Sequence, residues 1–344
     1  MPIVFRVDVI LLWFLWCAVG TGCVIFNKSL LLIFPHPLTS SFGQLLHTFT
    51  LSWISLRFIG EKKEFKFNRS HYILLLSLGL TNVLSIGCMH LSVHLLSAAY
   101  AHMVKSTMPV FVVLYSFVLG QKFPCKTYVA LSMIITGVAI TSHGEASFNG
   151  LGFAAAIGST MAGAAYGFIM KEVMILTKLH EFQLLRLVSG LSLILLLPVW
   201  LIVDFRQIFL STDDPLPNAA AAAAATTKIL CLLLADGLSR YLQNSLGVML
   251  LARLTPLGYS VGNVLKRLFS ILSSLLFFAT PITLLHVVGI STAMLGLLAY
   301  NVVSAALMFY RNASIFSLLS WLYSEYHNRQ ANFQVVGKKS KAPV

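Results

Sequence analysis

The sequence predicts an all-α membrane protein of about ten transmembrane helices, arranged as two inverted five-helix repeats. Three observations lead there. Hydrophobic residues fill 58% of the 344 positions and charged residues only 10%, and the mean hydropathy is +0.84, far from the balance of a soluble domain. Apolar segments of roughly 17–25 residues recur along the chain, each long enough to cross a hydrocarbon core about 30 Å thick. They are too long and too unalternating for barrel strands, and lipid offers the backbone no partners, so each must close its own hydrogen bonds as a helix. Finally, the halves echo each other: AAYAHMVKSTMP, an apolar run and ALSMIITGVAI in one, GYSVGNVLKRLFS, an apolar run and VGISTAMLGLLAY in the other. Five spans per half is an odd number, which inverts the second copy in the membrane.

Taken in order, the apolar runs lie near 8–29, 38–58, 72–92, 96–119 and 127–142 in the first half, then 149–171, 184–204, 228–250, 257–280 and 285–309. The first follows MPIVFRVDV directly and is too long for the core of a cleaved signal, so it reads as an uncleaved signal-anchor. GEKKEFKFNRSH parts the second and third runs and GQKFPCK the fourth and fifth, breaks too compact to hold a soluble domain. The fifth run is the shortest. Before the eighth, STDDPLPNAAAAAAATTK mixes acids, prolines and an alanine tract and reads as a surface loop. One transmembrane domain therefore covers 1–310, with repeat halves of about 8–142 and 149–309. In the 311–344 tail, ASIFSLLSWLYSEYH has the pattern of an amphipathic helix on the membrane surface, followed by a basic, disordered end.

The net charge of +13 would suggest nucleic acid in a soluble chain. Here the basic residues gather in short loops, so topology accounts for them and no nucleic-acid partner is expected. A cytosolic N-terminus puts Arg6, Arg57, Lys62, Lys63, Lys66, Arg69, Lys122, Lys126, Lys171, Lys178, Arg186, Arg253 and the tail cations on one side, against Lys28, Arg206 and Lys228 on the other. Both termini are thus expected in the cytosol, where the sequons at Asn68 and Asn312 cannot be glycosylated. Cys17, Cys23, Cys88, Cys125 and Cys231 form no CxxC pair, and neither a disulfide framework nor a metal site is expected.

The chemistry lies in cations that sit where cations are costly. Lys105 falls well inside the fourth span, and Lys266 and Arg267 well inside the ninth. Each costs about 3 kcal/mol at a bilayer centre unless it meets an anion or water. Asp236 is the one carboxylate deep in a span, and Arg240 is its expected i,i+4 partner. Lys105, Lys266, Arg267 and Arg240 against Asp236 leave a local excess of three positive charges. A phosphate ester, with about −1.5 to −2 charge and several acceptor oxygens, fits that excess. Arginine grips two oxygens at once while lysine supplies a compact charge. The competing reading is that these side chains snorkel or bond backbone carbonyls in a bundle that transports nothing.

His102, three residues before Lys105, could reach the same phosphate or serve as a polar contact between helices. Tyr100 and Asn263 are further lining candidates, with packing the alternative for Tyr100. His90 and His94 have metal-binding spacing but lack a third ligand. Gly137, Gly289 and Gly296 read as close helix packing. There is no Ser/His/Asp set, paired catalytic carboxylates or phosphate-cradling glycine loop, so the chain is not expected to be an enzyme or to need a cofactor.

FNKSLLLIFPHP, AHMVKSTMPVF, FNGLGFAAAIGS and LTPLGYSVGNVLKRLFSI together resemble the triose-phosphate translocator and nucleotide-sugar transporter group of the drug/metabolite transporter superfamily, over roughly residues 10–305. In plastid members, the resemblance implies, the lysine of the THxxK-like segment and the Lys-Arg doublet bind phosphate. Those positions are Lys105, Lys266 and Arg267, the residues the charge argument selects. Where plastid members carry Tyr-Asn-Gln in the eighth span, this chain has Gln243, Asn244 and Ser245, and Tyr166 stands where the sixth span usually has an arginine. The Gln243-Asn244 pair is more like the endomembrane branch. The implied function is antiport of a sugar phosphate or related anion against inorganic phosphate in an ER or Golgi membrane, with a plastid-derived membrane as the alternative. The rival readings are a nucleotide-sugar transporter and a non-transporting trafficking or scaffold protein. Lipid surrounds such a chain in either case, and a homodimer is compatible with it.

Overall fold

The computed structural model describes residues 7–60, 69–145, 148–177, 179–210 and 219–306. The tail with its expected amphipathic helix, residues 61–68 and residues 211–218 lie outside them. Within them the chain is all-α, as ten long helices joined by short connections. They are α1 Val7–Ile33, α2 Pro37–Ile59, α3 Arg69–Leu95, α4 Ala98–Val118 and α5 Cys125–Gly144, then α6 Gly150–Thr177, α7 Glu181–Ile208, α8 Ala219–Arg253, α9 Pro256–Phe277 and α10 Leu284–Ala306. Eight are long and apolar enough to cross a membrane; α2 and α8 are more polar. The chain is a multi-pass membrane protein.

The helix boundaries follow local chemistry. Pro37 starts α2, where its missing N–H costs nothing, and Gly60 ends it in the left-handed region (φ +74°), its N–H donating to Leu56 O at 3.1 Å. Thr255 caps α9 by accepting from Gly258 N–H at 3.1 Å, just before Pro256. The alanine tract expected as loop is corrected: α8 begins at Ala219, because alanine is the strongest helix former and the tract simply extends the span. The fifth helix, at 20 residues, also outruns its expected length.

The principal contacts survive exchange of each helix with the one five places on. The pairs α1·α8 and α3·α6 are counterparts, as are α2·α8 and α3·α7, and α1·α9 and α4·α6, while α2·α7 and α4·α9 map onto themselves. The last self-paired contact, α5·α10, is made through glycine: a Cβ on Gly137 would lie 2.5 Å from Ala293 N, and one on Gly296 2.9 Å from Ala130 O. These glycines therefore do what the packing reading expected.

One end of the bundle is closed. Leu96, Tyr100, Val104, Ile134, Ile271 and Met294 form a buried core where α4, α5, α9 and α10 meet. Lys28 Nζ donates to the carbonyls of Val93 (2.7 Å) and Leu96 (2.8 Å), tying α1 to the end of α3. Buried Glu145 accepts from Ser97 Oγ at 3.1 Å and lies 3.6 Å from His286 Nε2.

Candidate functional site

Two adjoining cavities occupy the middle of the bundle. The inner one, about 160 Å³, is bordered by Lys105 of α4, Lys266 and Arg267 of α9 and Arg240 of α8, with His90 and His102. The outer one, about 420 Å³, runs toward the ends of α6 and α8 and the starts of α7 and α9, past Tyr166, Met170, Phe182, Asn244 and Tyr259. Arg240, Gln243, Asn263 and Lys266 border both.

A break in α4 builds part of this site. A 3-10 turn at Lys105–Thr107 interrupts the helix. Pro109 has no N–H to give the carbonyl four residues back, that of Lys105. That carbonyl instead accepts from Met108 N–H and from Arg267 Nη1, the latter at 3.0 Å. The two helices that carry the predicted cations are thereby joined directly, and one Arg267 donor is spent on backbone. Lys266 Nζ stands 3.9 Å from the centre of the Trp16 ring, a cation–π contact from α1. Trp16 is itself held by Nε1–H donating to Gln243 O at 3.0 Å. No carboxylate among the described residues forms an ion pair with Lys105, Lys266, Arg267 or Arg240.

The expected Asp236–Arg240 pair is corrected. Gln44 of α2 sits between them: its Nε2 donates to Asp236 Oδ2 at 2.8 Å, and its Oε1 accepts from Arg240 Nε at 3.0 Å. Asp236 also accepts from Asn27 Nδ2 (3.3 Å) and Ser40 Oγ (3.4 Å). Arg240 turns to the cavities, its Nη1 donating to Gln243 Oε1 at 3.4 Å. Helical spacing alone could not show this, because the deciding partner comes from another helix. A signal did exist: Ser40, Gln44, Thr48 and Ser52 recur every four residues in an otherwise apolar span, and all four are buried.

Of the other predicted residues, His102, Gln243 and Asn263 line the inner cavity, and Tyr166, Gln243, Asn244 and Asn263 the outer. Tyr100 is a correction. It lines neither cavity, is 1% exposed within the core of the closed end, and its hydroxyl bonds Ser142. His90 is engaged by Ser41 Oγ at 2.8 Å and Ile86 O at 2.9 Å. The sequence reading did not name Trp16, which borders the outer cavity, or Gln44, which orients Arg240; it counted Arg240 among the cations but took it as the partner of Asp236.

The model of the Triose-phosphate Transporter family matches residues 7–301. Among similar proteins, "Phosphoenolpyruvate/phosphate translocator 2, chloroplastic" of Arabidopsis thaliana is 28% identical over 288 residues, covering 83% of this chain and 74% of its own. "Glucose-6-phosphate/phosphate translocator 1, chloroplastic" of the same plant is 28% identical, covering 83% and 72%. "Triose phosphate/phosphate translocator, chloroplastic" of Spinacia oleracea is 28% identical, covering 85% and 71%.

Proposed function

This chain belongs to the triose-phosphate transporter family, and from that premise we propose that it is an antiporter exchanging a phosphorylated sugar or similar metabolite for inorganic phosphate. The observation that carries the reading is the convergence of Lys105, Lys266 and Arg267 on one 160 Å³ cavity without a paired carboxylate. Water fills liquid at about 30 Å³ per molecule, so that space suits one tetrahedral anion and the outer cavity its organic part. A phosphate there would be gripped by α4 of the first half and α9 of the second, coupling the two units that alternate.

Obligate exchange follows from the charge. Two unit charges about 4 Å apart repel by roughly 4 kcal/mol at an effective dielectric near 20. Closure around an empty site is therefore costly, and a bound anion favours closure through its higher affinity for the closed form. The outer cavity leads away from the end closed by Lys28 and the Glu145–His286 contact. We read the open end as cytosolic from the Lys/Arg asymmetry, and assign the protein to an ER or Golgi membrane on the Gln243-Asn244 pair. A plastid-derived membrane is the competing site, favoured by the relatives' names. Fluorescence microscopy of a tagged chain decides between them, and labelling single cysteines at residue 62 and in the tail from each side of sealed membranes tests the orientation.

Purified protein in liposomes preloaded with phosphate should take up labelled sugar phosphate quickly, and protein in empty liposomes slowly. Equal initial rates with the membrane potential clamped would reject antiport. The aromatic side chains of Trp16, Phe182 and Tyr259 around 420 Å³ favour one competitor, a nucleotide sugar. Its mark is inhibition of uptake by free nucleotide. A trafficking or scaffold protein would keep its activity after Lys105→Ala.

A further inference from the structure

Three cations of the inner cavity are held by uncharged partners. Arg267 donates to the carbonyl of Lys105 at 3.0 Å, and Arg240 to the side-chain amides of Gln44 and Gln243. Lys266 has a different support. Its Nζ makes no hydrogen bond or ion pair among the described residues and stands instead 3.9 Å from the centre of the Trp16 ring.

Trp16 is fixed on several sides. It is 3% exposed. Its indole N–H donates to Gln243 O of α8 at 3.0 Å, and its ring stacks on Tyr259 of α9 with 5.6 Å between centroids. Gly247 of α8 leaves room for the indole edge, since a Cβ there would lie 3.3 Å from Nε1. Trp13 Nε1–H donates to Gly262 O at 3.1 Å, which holds α1 against α9 one turn before the lysine. The lysine stem crosses α1 at Gly20, where a Cβ would lie 3.5 Å from Lys266 Cδ. Trp16 and Gly20 are four residues apart and share a face of α1. That face gives the stem a gap and the ammonium a ring.

An aromatic ring differs from an acid in what it leaves behind. A carboxylate at this position would hold Lys266 but cancel the charge that a phosphate must meet. The ring attracts an ammonium through its quadrupole and carries no net charge. It covers one side of a group with three donors, so donors remain for an anion. Without the ring, repulsion from Lys105, Arg267 and Arg240 would drive the flexible four-carbon stem away from the inner cavity and toward the wider outer one.

We propose that Trp16 is a positioning residue for phosphate recognition: its ring holds Lys266 where the two cavities join, uncancelled and aimed at the anion. Trp16 does this without itself touching the phosphate. The inference rests on the phosphate reading above and deepens it, because α1 then joins α4 and α9 in building the anion site.

The test compares Trp16→Phe, which keeps a ring, with Trp16→Leu, which does not; both lose the indole N–H bond to Gln243 O. Equilibrium binding of labelled inorganic phosphate to full-length protein should weaken by about tenfold or more in the leucine variant, the effect of one desolvated cation–π contact, and by about threefold or less in the phenylalanine variant. Phosphate/phosphate exchange at saturating phosphate should stay within about threefold of the wild-type rate in both, a change in KM with little change in kcat. A spectroscopic readout keeps the test independent of how the leucine variant folds. With 5-fluorotryptophan at all five tryptophans, the fluorine NMR line of Trp16, identified by its absence in Trp16→Phe, should move with added phosphate at the midpoint of binding. Phosphate affinity in Trp16→Leu equal to or tighter than wild type overturns the proposal. So does equal weakening in the leucine and phenylalanine variants, which would leave only the anchoring bond to Gln243. A Trp16 line that ignores phosphate also overturns it, as does one that answers free nucleotide but not phosphate, which would assign the ring to the organic part of a substrate. Wild-type protein that binds no phosphate removes the underlying reading and this inference with it.

Discussion

Substituting Arg267 with lysine keeps the charge and removes the fork, and the structure gives the size of the effect. Arg267 Nη1 is committed to the carbonyl of Lys105 at 3.0 Å, the carbonyl that Pro109 leaves without its helical partner. The rest of the guanidinium faces the inner cavity, so arginine can bond the carbonyl and an anion together. A lysine reaches one or the other. The variant therefore loses about one hydrogen bond to a charged group, a contribution of about 2 kcal/mol. At 1.4 kcal/mol per factor of ten, that is roughly a 30-fold loss in apparent affinity for phosphate. The assay is the initial rate of labelled phosphate uptake into phosphate-loaded liposomes against external phosphate, with the thermal midpoint in detergent as a check on folding. Wild-type KM and rate in Arg267→Lys would refute the argument that one side chain serves both the helix junction and the anion.

Three further outcomes follow from the same geometry. Gln44→Leu removes both bonds that separate Asp236 from Arg240 and should raise the KM for phosphorylated substrate by about tenfold or more, through misplacement of the Arg240 fork; an unchanged KM would make Gln44 a packing residue only. Lys28→Met deletes two charge-assisted bonds to the carbonyls of Val93 and Leu96 and should lower stability by about 3 kcal/mol or more, seen as a lower thermal midpoint; no shift would mean this link is not part of the closure. Gly137→Ala sets a methyl 2.5 Å from Ala293 N and 2.6 Å from Gly289 O, both backbone atoms that cannot rotate away. It should destabilise by about 1–3 kcal/mol or more and cut the yield of monodisperse protein, whereas wild-type yield and midpoint would show that α5 and α10 can part freely.

Much of the architecture was legible because lipid leaves a chain few options. Apolar runs separated by charged breaks located the ten helices, and the boundaries erred where intrinsic propensity outweighed hydropathy, as in the alanine tract that opens α8. The three phosphate-binding candidates were legible from cost alone, since buried cations without buried acids call for an anion. What spacing could not show was orientation between helices. Asp236 and Arg240 stand one turn apart, yet Gln44 of α2 separates them and turns Arg240 toward the cavities. Tyr100 lies close to His102 and Lys105 in sequence, but the helix turns it into the closed end, where Ser142 binds its hydroxyl. The break in α4 was written in Pro109, although only the neighbouring helix shows what fills the carbonyl it frees.

The account rests on one phosphate bound between α4 and α9, and equilibrium binding tests that most directly. Labelled inorganic phosphate should bind purified wild-type protein saturably, with about one site per chain. Lys105→Ala, Lys266→Ala and Arg267→Ala should each lose that binding while still eluting as folded protein. Saturable binding at wild-type affinity in Arg267→Ala, in protein that elutes and melts like the wild type, would contradict the phosphate clamp.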